Sequence, residues 1–109
     1  IQPNIVNTPL DAGISGDTFR RALTKSWWSA IESHRPDLIL ISAGFDGHRD
    51  DPLANWNLDD DDYAWVTGEI VALAEQYACG RIVSVLEGGY DLEALARSAM
   101  AHLSSLASA

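Results

Sequence analysis

The run Leu38-Ile39-Leu40-Ile41, followed by Ser42-Ala43-Gly44-Phe45-Asp46, constrains this chain more than any other stretch. Branched apolar residues lead into a glycine, and the next ionisable group is a carboxylate. An uninterrupted apolar run of this length reads as a strand buried on both faces of a parallel sheet, because a strand with one wet face would alternate. In open sheets of that kind ligands gather outside the carboxyl ends of the strands. The pattern therefore places Asp46 where chemistry is usually done.

The rest of the sequence alternates strand with helix. Residues 4–10 form a short strand candidate, ended by Pro9 and the turn composition Asp11-Ala12-Gly13. Gly16-Asp17 opens a helix in which Phe19, Ala22, Leu23, Trp27, Ala30 and Ile31 recur at three and four residues, and Pro36 ends it. The buried strand spans residues 37–43, and a long polar loop follows to about Leu58. Next come Asp59, Asp60, Asp61 and Asp62, ahead of a helical stripe of Tyr63, Val66, Ile70, Leu73 and Tyr77. Four carboxylates suit the capping need and the positive end of the helix dipole; a metal-binding cluster is the sharper alternative.

Gly80 supplies a helix stop, and residues 81–86 give a third strand. Glu87-Gly88-Gly89-Tyr90 turns the chain, and Asp91 caps a last helix with Leu92, Leu95, Ala99, Leu103 and Leu106 inward. The order β-α-β-α-β-α predicts an α/β fold with a mainly parallel sheet and crossover helices, one domain over residues 1–109. Crossovers that step in one direction put every helix on the same face of the sheet, yet the run 38–41 is apolar on both. Open sheet edges also need protection. The chain is therefore expected to be incomplete, oligomeric or docked on a partner, and its start at Ile1 rather than Met hints at a piece of something longer.

Charge narrows the partners. Sixteen Asp plus Glu against seven Lys plus Arg give a formal charge of -9, which repels phosphate backbones and anionic membrane surfaces. No direct nucleic-acid or membrane partner is expected. No apolar run reaches the roughly 18 to 20 residues that span a bilayer, and nothing at the N-terminus resembles a cleavable signal, so the expectation is a cytoplasmic protein. The single cysteine, Cys79, ends an apolar helical pattern and reads as packing.

Two strand ends carry candidates for chemistry. Asp46 can ligate a hard or borderline cation such as zinc. Tyr90, behind a glycine pair, offers a phenol that can donate to a developing oxyanion, and glycines let backbone approach a substrate closely. Together they suggest a metal-assisted hydrolase; the plainer reading is a glycine turn followed by a packed ring.

The motifs Ser42-Ala43-Gly44-Phe45-Asp46 with His48-Arg49-Asp50-Asp51-Pro52-Leu53, and Leu86-Glu87-Gly88-Gly89-Tyr90-Asp91-Leu92 downstream, resemble the C-terminal third of a histone deacetylase family protein. The Leu-Glu-Gly-Gly-Tyr form is similar to the class II and bacterial branch, which includes acetylpolyamine amidohydrolases, and Asn4-Ile5-Val6-Asn7-Thr8-Pro9-Leu10 extends the resemblance over nearly the whole chain. It implies a three-layer αβα architecture of the arginase and deacetylase kind, here partial. It implies that Asp46 is a zinc ligand, that Tyr90 polarises the amide carbonyl, and that Gly88 and Gly89 lie beside the acyl-lysine channel. The implied reaction is zinc-dependent hydrolysis of an N-acetyl amide on lysine or a polyamine, with a His general base.

In that family the other two zinc ligands come from an Asp-x-His motif and the base from a His-His pair, both upstream of the matching region. A catalytic zinc takes three protein ligands plus water, so this chain alone is expected to bind zinc weakly and not to catalyse. Asp46-Gly47-His48 is itself an Asp-x-His, but the surrounding motif matches the family's later one, and His48 reads as a loop-ordering residue. His34 and His102 read as surface or helix-end residues. Glu87 reads as a strand-end acid bonding loop amides, and Asp50-Asp51-Pro52 as turn chemistry before metal chemistry. Adjacent Trp27 and Trp28 cannot share a helix face, so one of them is available to seal a contact with structure outside the chain. The partners implied are the remainder of a deacetylase domain, or self-association if the chain persists as a non-catalytic interaction module. A related hydrolase acting on small amides is the third reading.

Overall fold

The apolar run becomes strand β1 (Ile39–Gly44), which pairs in parallel with β2 (Ile82–Gly88) in a computed structural model that describes residues 4–108. The rungs run from Ile39 opposite Ile82 to Ala43 opposite Leu86, and then Gly44 stands opposite Gly88. Glu87 is thus an extra residue in β2, a bulge at the end of the sheet where such irregularities re-aim the chain.

A parallel pair needs a long crossover, and α3 (Asp60–Tyr77) provides it. Its stripe is the expected one, with Tyr63, Ile70 and Leu73 buried alongside Thr67, Val71 and Ala74. The acidic run at its start is divided among tasks. Asp62 Oδ2 accepts from the Asp59 N–H at 2.8 Å, while its Oδ1 accepts from Arg20 Nε at 2.8 Å. Beyond the helix, Ala78 is buried and Gly80 N–H donates to Ala74 O at 2.9 Å. Cys79 takes a left-handed φ of 54° and is exposed, so it does not pack: the turn that ends α3 swings it outward.

The third strand expected at residues 81–86 forms as β2, but the first one expected, at residues 4–10, does not. Residues 4–10 enter no sheet ladder, and among the described residues the sheet has two strands. Thr8 instead lies 2.8 Å from Ser26 Oγ and accepts from Trp27 Nε1 at 3.0 Å, so side-chain bonds to a helix junction fasten this segment. That junction divides the single helix expected from the sequence into α1 (Gly16–Ser26) and α2 (Trp28–His34). Thr24 and Ser26 turn their hydroxyls back onto Arg20 O and Ala22 O, both at 2.8 Å, a bond that bends helices. Arg35 follows in a left-handed conformation just before Pro36, and His34 is exposed as expected. Both tryptophans find partners within the chain: Trp27 meets Thr8, and Trp28 tilts against Trp65 of α3 at 5.9 Å.

The last helix, α4 (Leu92–Ala107), packs the expected Leu95 and Ala99 against the core but turns Leu92 and Leu103 outward. Ala94, Ser98 and His102 are buried, whereas Leu92 is 79% and Leu103 57% exposed. Small residues at four-residue spacing let α4 lie close to α3, and that close approach outweighs the pull of the leucines. His102, expected at the surface, becomes a buried joint. Its Nδ1 is 2.8 Å from Thr67 Oγ1 on α3 and its Nε2 2.8 Å from Ser84 Oγ on β2.

All of the packing lies on one side of the sheet. Ala43, Phe45, Leu58 and Tyr63 form the core, with Phe19 of α1, Ile41 of β1 and Leu95 and Ala99 of α4 against it. On the other side Leu40 is 70%, Val85 57% and Val83 49% exposed. The run expected to be buried on both faces is therefore covered by this chain on one only, as helices placed on the same side require. The described residues thus form a two-stranded parallel sheet with a helical layer on one of its faces.

Candidate active site

Parallel pairing brings the carboxyl ends of β1 and β2 side by side, so the loops that follow them share one cleft, lined by Ser42, Gly44, Asp46, Glu87, Gly88 and Tyr90. Phe45 N–H donates to Gly88 O at 2.8 Å and stitches the two loops at their root. Asp46 lies over the terminal glycine rung. A Cβ on Gly44 would stand 3.1 Å from Asp46 Oδ1, and one on Gly88 3.2 Å from the same atom and 3.3 Å from Cγ. Bare backbone at both positions makes room for the carboxylate. The side-chain hydrogen bonds among the described residues leave that carboxylate without a partner, half-buried at the mouth of the cleft.

Tyr90 reaches the same cleft from the other loop. Its side chain is 55% exposed and its hydroxyl has no hydrogen-bond partner among the described residues. Gly89, just before it, has φ 142°, a conformation that L side chains rarely adopt. A Cβ there would also meet Leu95 Cδ1 at 2.8 Å.

Asp51 holds the two loops together, a role that local sequence reading missed. Its Oδ1 accepts from Leu53 N–H at 2.9 Å, the expected turn bond, while its Oδ2 accepts from Tyr90 N–H at 2.7 Å and Asp91 N–H at 3.3 Å. Burial pushes this carboxyl up, but the three amides and the nearby His48 outweigh it and leave the group below its ordinary range. The acid expected to bond loop amides was Glu87; the structure gives that task to Asp51 and leaves Glu87 exposed on the bulge.

His48 is 1% exposed, and its ring is engaged by Asp50 and Asp60. Its Nδ1 accepts from Asp50 N–H at 3.1 Å, so Nε2 carries the proton that goes to Asp60 Oδ1 at 2.7 Å. Both nitrogens are used in ordering the loop. His48, Asp59 and Asp60 are the one set of three potential ligands found close together among the described residues. Arg97 pairs with Asp60 at 3.0 Å and with Asp50 at 3.2 Å, and Arg49 pairs with Asp59 at 3.3 Å, so guanidinium groups already balance these acids. Burial raises the Asp60 carboxyl, and hydrogen bonds from His48 and Arg97 bring it below the usual range. Tyr63, read from the sequence only as a core residue, buries its hydroxyl under this loop without a hydrogen-bond partner among the described residues. Burial, and then the charge of Asp46, push its phenol well above the ordinary range.

For a zinc ion, Asp46 has the right donor chemistry: a carboxylate with free oxygens over a glycine floor. No set of three ligating side chains among the described residues includes it.

The profile described as "Histone deacetylase domain" matches residues 2–106. The chain belongs to the histone deacetylase family. It is 42% identical over 103 residues to "Type-2 histone deacetylase 1" of Dictyostelium discoideum, covering 94% of this chain and 7% of that protein. It is 39% identical over 86 residues to "Histone deacetylase-like amidohydrolase" of Pseudomonas aeruginosa, covering 79% of this chain and 23% of that one. Among solved structures, the HDA15 HD domain superposes with a TM-score of 0.84 at 29% identity, over 93% of this chain and 28% of that one. The histone deacetylase Clr3 gives 0.83 at 30% identity, over 93% and 16%. The chain thus spans a minor part of the length of these relatives, and its fold is that of deacetylase domains. No helix among the described residues is long and apolar enough to cross a membrane.

Proposed function

We propose that residues 1–109 form the C-terminal part of a zinc-dependent amidohydrolase domain that removes acetyl groups from N-acetylated lysine or polyamine. The observation that carries this reading is the convergence of a carboxylate, Asp46, and a phenol, Tyr90, both without a hydrogen-bond partner among the described residues, on one cleft floored by glycine. Asp46 is the residue that would hold zinc, completed by ligands outside this chain. When bound, zinc supplies Lewis-acid polarisation of the amide carbonyl and a more acidic water. Tyr90 donates its hydroxyl proton in a hydrogen bond to the oxygen that gains charge as the carbonyl becomes tetrahedral, and does so from a fixed loop. Gly88 and Gly89 leave the side of the cleft bare, so an extended acyl-lysine stem can pass close to the backbone. A deacetylating protein of this kind works in an aqueous compartment such as the cytoplasm.

The test is Asp46→Asn in the full-length protein. Zinc-dependent release of acetate from an acetyl-lysine peptide is expected to fall by about a hundredfold or more, with metal content reduced. Unchanged turnover would sink the assignment. A second reading, a non-catalytic module that docks on the remainder of a deacetylase domain or on a second copy, draws on the exposed Leu40, Val83 and Val85 face. It predicts an oligomer by light scattering without stoichiometric zinc.

A further inference from the structure

Tyr90 can serve a reaction only if its phenol is held in place, and little about the side chain itself holds it. It is 55% exposed, its hydroxyl is unpartnered among the described residues, and it follows Gly89 in a conformation most open to glycine. Restraint must then come from the backbone. The Tyr90 N–H is bound at 2.7 Å by Asp51 Oδ2, and the same oxygen takes the Asp91 N–H at 3.3 Å. Asp91 in turn caps α4 through Ala94 N–H at 2.9 Å, so the far side of the joint is a helix end. On the near side Asp51 is fixed to the loop of Asp46: its own N–H donates to His48 O at 3.0 Å, and His48 N–H donates to Phe45 O at 3.3 Å. One buried carboxylate therefore connects the backbone that carries Asp46 to the backbone that carries Tyr90, across 39 residues of sequence.

We infer that Asp51 is a positioning residue that sets the place of the Tyr90 hydroxyl relative to Asp46 by clamping the Tyr90 and Asp91 amides. This inference rests on the proposed function, in which Tyr90 touches the substrate and Asp51 does not. A carboxylate is suited to the task because both of its oxygens accept. An asparagine must turn its NH2 group toward either Leu53 N–H or the Tyr90 and Asp91 N–H pair, and donor then faces donor.

The experiment combines kinetics of Asp51→Asn, Tyr90→Phe and the double variant with hydrogen exchange, all in the full-length protein. In Asp51→Asn, kcat on an acetyl-lysine peptide is expected to fall about tenfold to a hundredfold, as for a misplacement on the order of 1 Å, while KM and zinc content stay near the parent values. Added to Tyr90→Phe, it is expected to lower kcat no further, because a clamp has nothing left to position. Multiplying effects would overturn the inference. Exchange at the Tyr90 amide is expected to be slow in the unsubstituted chain despite the exposed side chain, and about tenfold faster in Asp51→Asn. A freely exchanging Tyr90 amide in the unsubstituted chain overturns the clamp without any substitution having to fold. If Asp46→Asn leaves turnover intact, the proposed function fails instead, while the exchange measurement still reads the clamp.

Discussion

Acid should loosen this protein through His102, and replacing that residue with glutamine isolates the effect. The neutral ring is locked into one tautomer. Thr67 Oγ1 donates to Tyr63 O at 2.7 Å, so it can only accept from His102 Nδ1–H, which leaves Nε2 to accept from Ser84 Oγ. Burial pulls the His102 pKa below its ordinary 6.5. The folded state therefore binds fewer protons than the unfolded one in the interval between the two values. Stability is complete above about 6.5 and declines as the pH falls through it, at up to about 1.4 kcal/mol per pH unit for one proton, until the folded-state pKa is passed. The Asp51 and Asp60 carboxyls, held below their ordinary 3.8, contribute stability that is lost only at more acid pH, so the two windows separate. Near pH 7, His102→Gln should cost about 1–2 kcal/mol for the hydrogen bond a single amide cannot remake and the lost edge contact with Phe45 at 5.6 Å. Urea melts of both proteins between about pH 7 and pH 5 give the difference directly, and the gap is expected to shrink on acidification because only the parent carries the His102 term. Parallel stability curves for parent and variant across that range would refute the reasoning.

Two glycine substitutions separate backbone strain from crowding. Gly89→Ala, at φ 142° with Leu95 Cδ1 at 2.8 Å from the new methyl, should lower Tm more than Gly13→Ala, at φ 80° with open space around it. About 1–3 kcal/mol is expected for the first and about 1 kcal/mol for the second, and equal Tm shifts would remove the crowding argument. Gly16→Ala should destabilise the chain although alanine is the better helix former, because its methyl collides with the Asp62 carboxylate that binds Arg20 and the Asp59 amide. A gain in Tm would show that Asp62 moves aside freely.

The parts of the fold that sequence conveyed were those whose causes are local. An apolar run ending at glycine fixed β1 and the place of Asp46, and the three- and four-residue spacing of Tyr63, Ile70 and Leu73 fixed α3 and its buried face. Asp91 acts as the expected cap. The misreadings concern residues whose partners lie far along the chain. His102 is a joint because Thr67 and Ser84, distant in sequence, meet it in space, and Asp51 is a clamp because Tyr90 does. Nothing within a turn of either residue signals this. On α4 the leucines drew attention from Ala94 and Ser98, whose value lies in smallness, a property that hydrophobic periodicity does not register. Residues 4–10 failed as a strand for a related reason: strand propensity is realised only beside a free neighbour, and Thr8 found the α1–α2 junction instead.

The parallel pairing of β1 with β2 has a consequence for the order in which the molecule forms. Asp46 and its floor at Gly88 come from opposite ends of a crossover, so the loop-closure entropy of the intervening chain must be met before the first rung can form. The cleft thus depends on the crossover being closed. A peptide that contains residues 38–58 carries Asp46, the loop and Gly44 but lacks the Gly88 half of the floor, and disruption of α3 or α4 reaches the cleft as loss of its geometry.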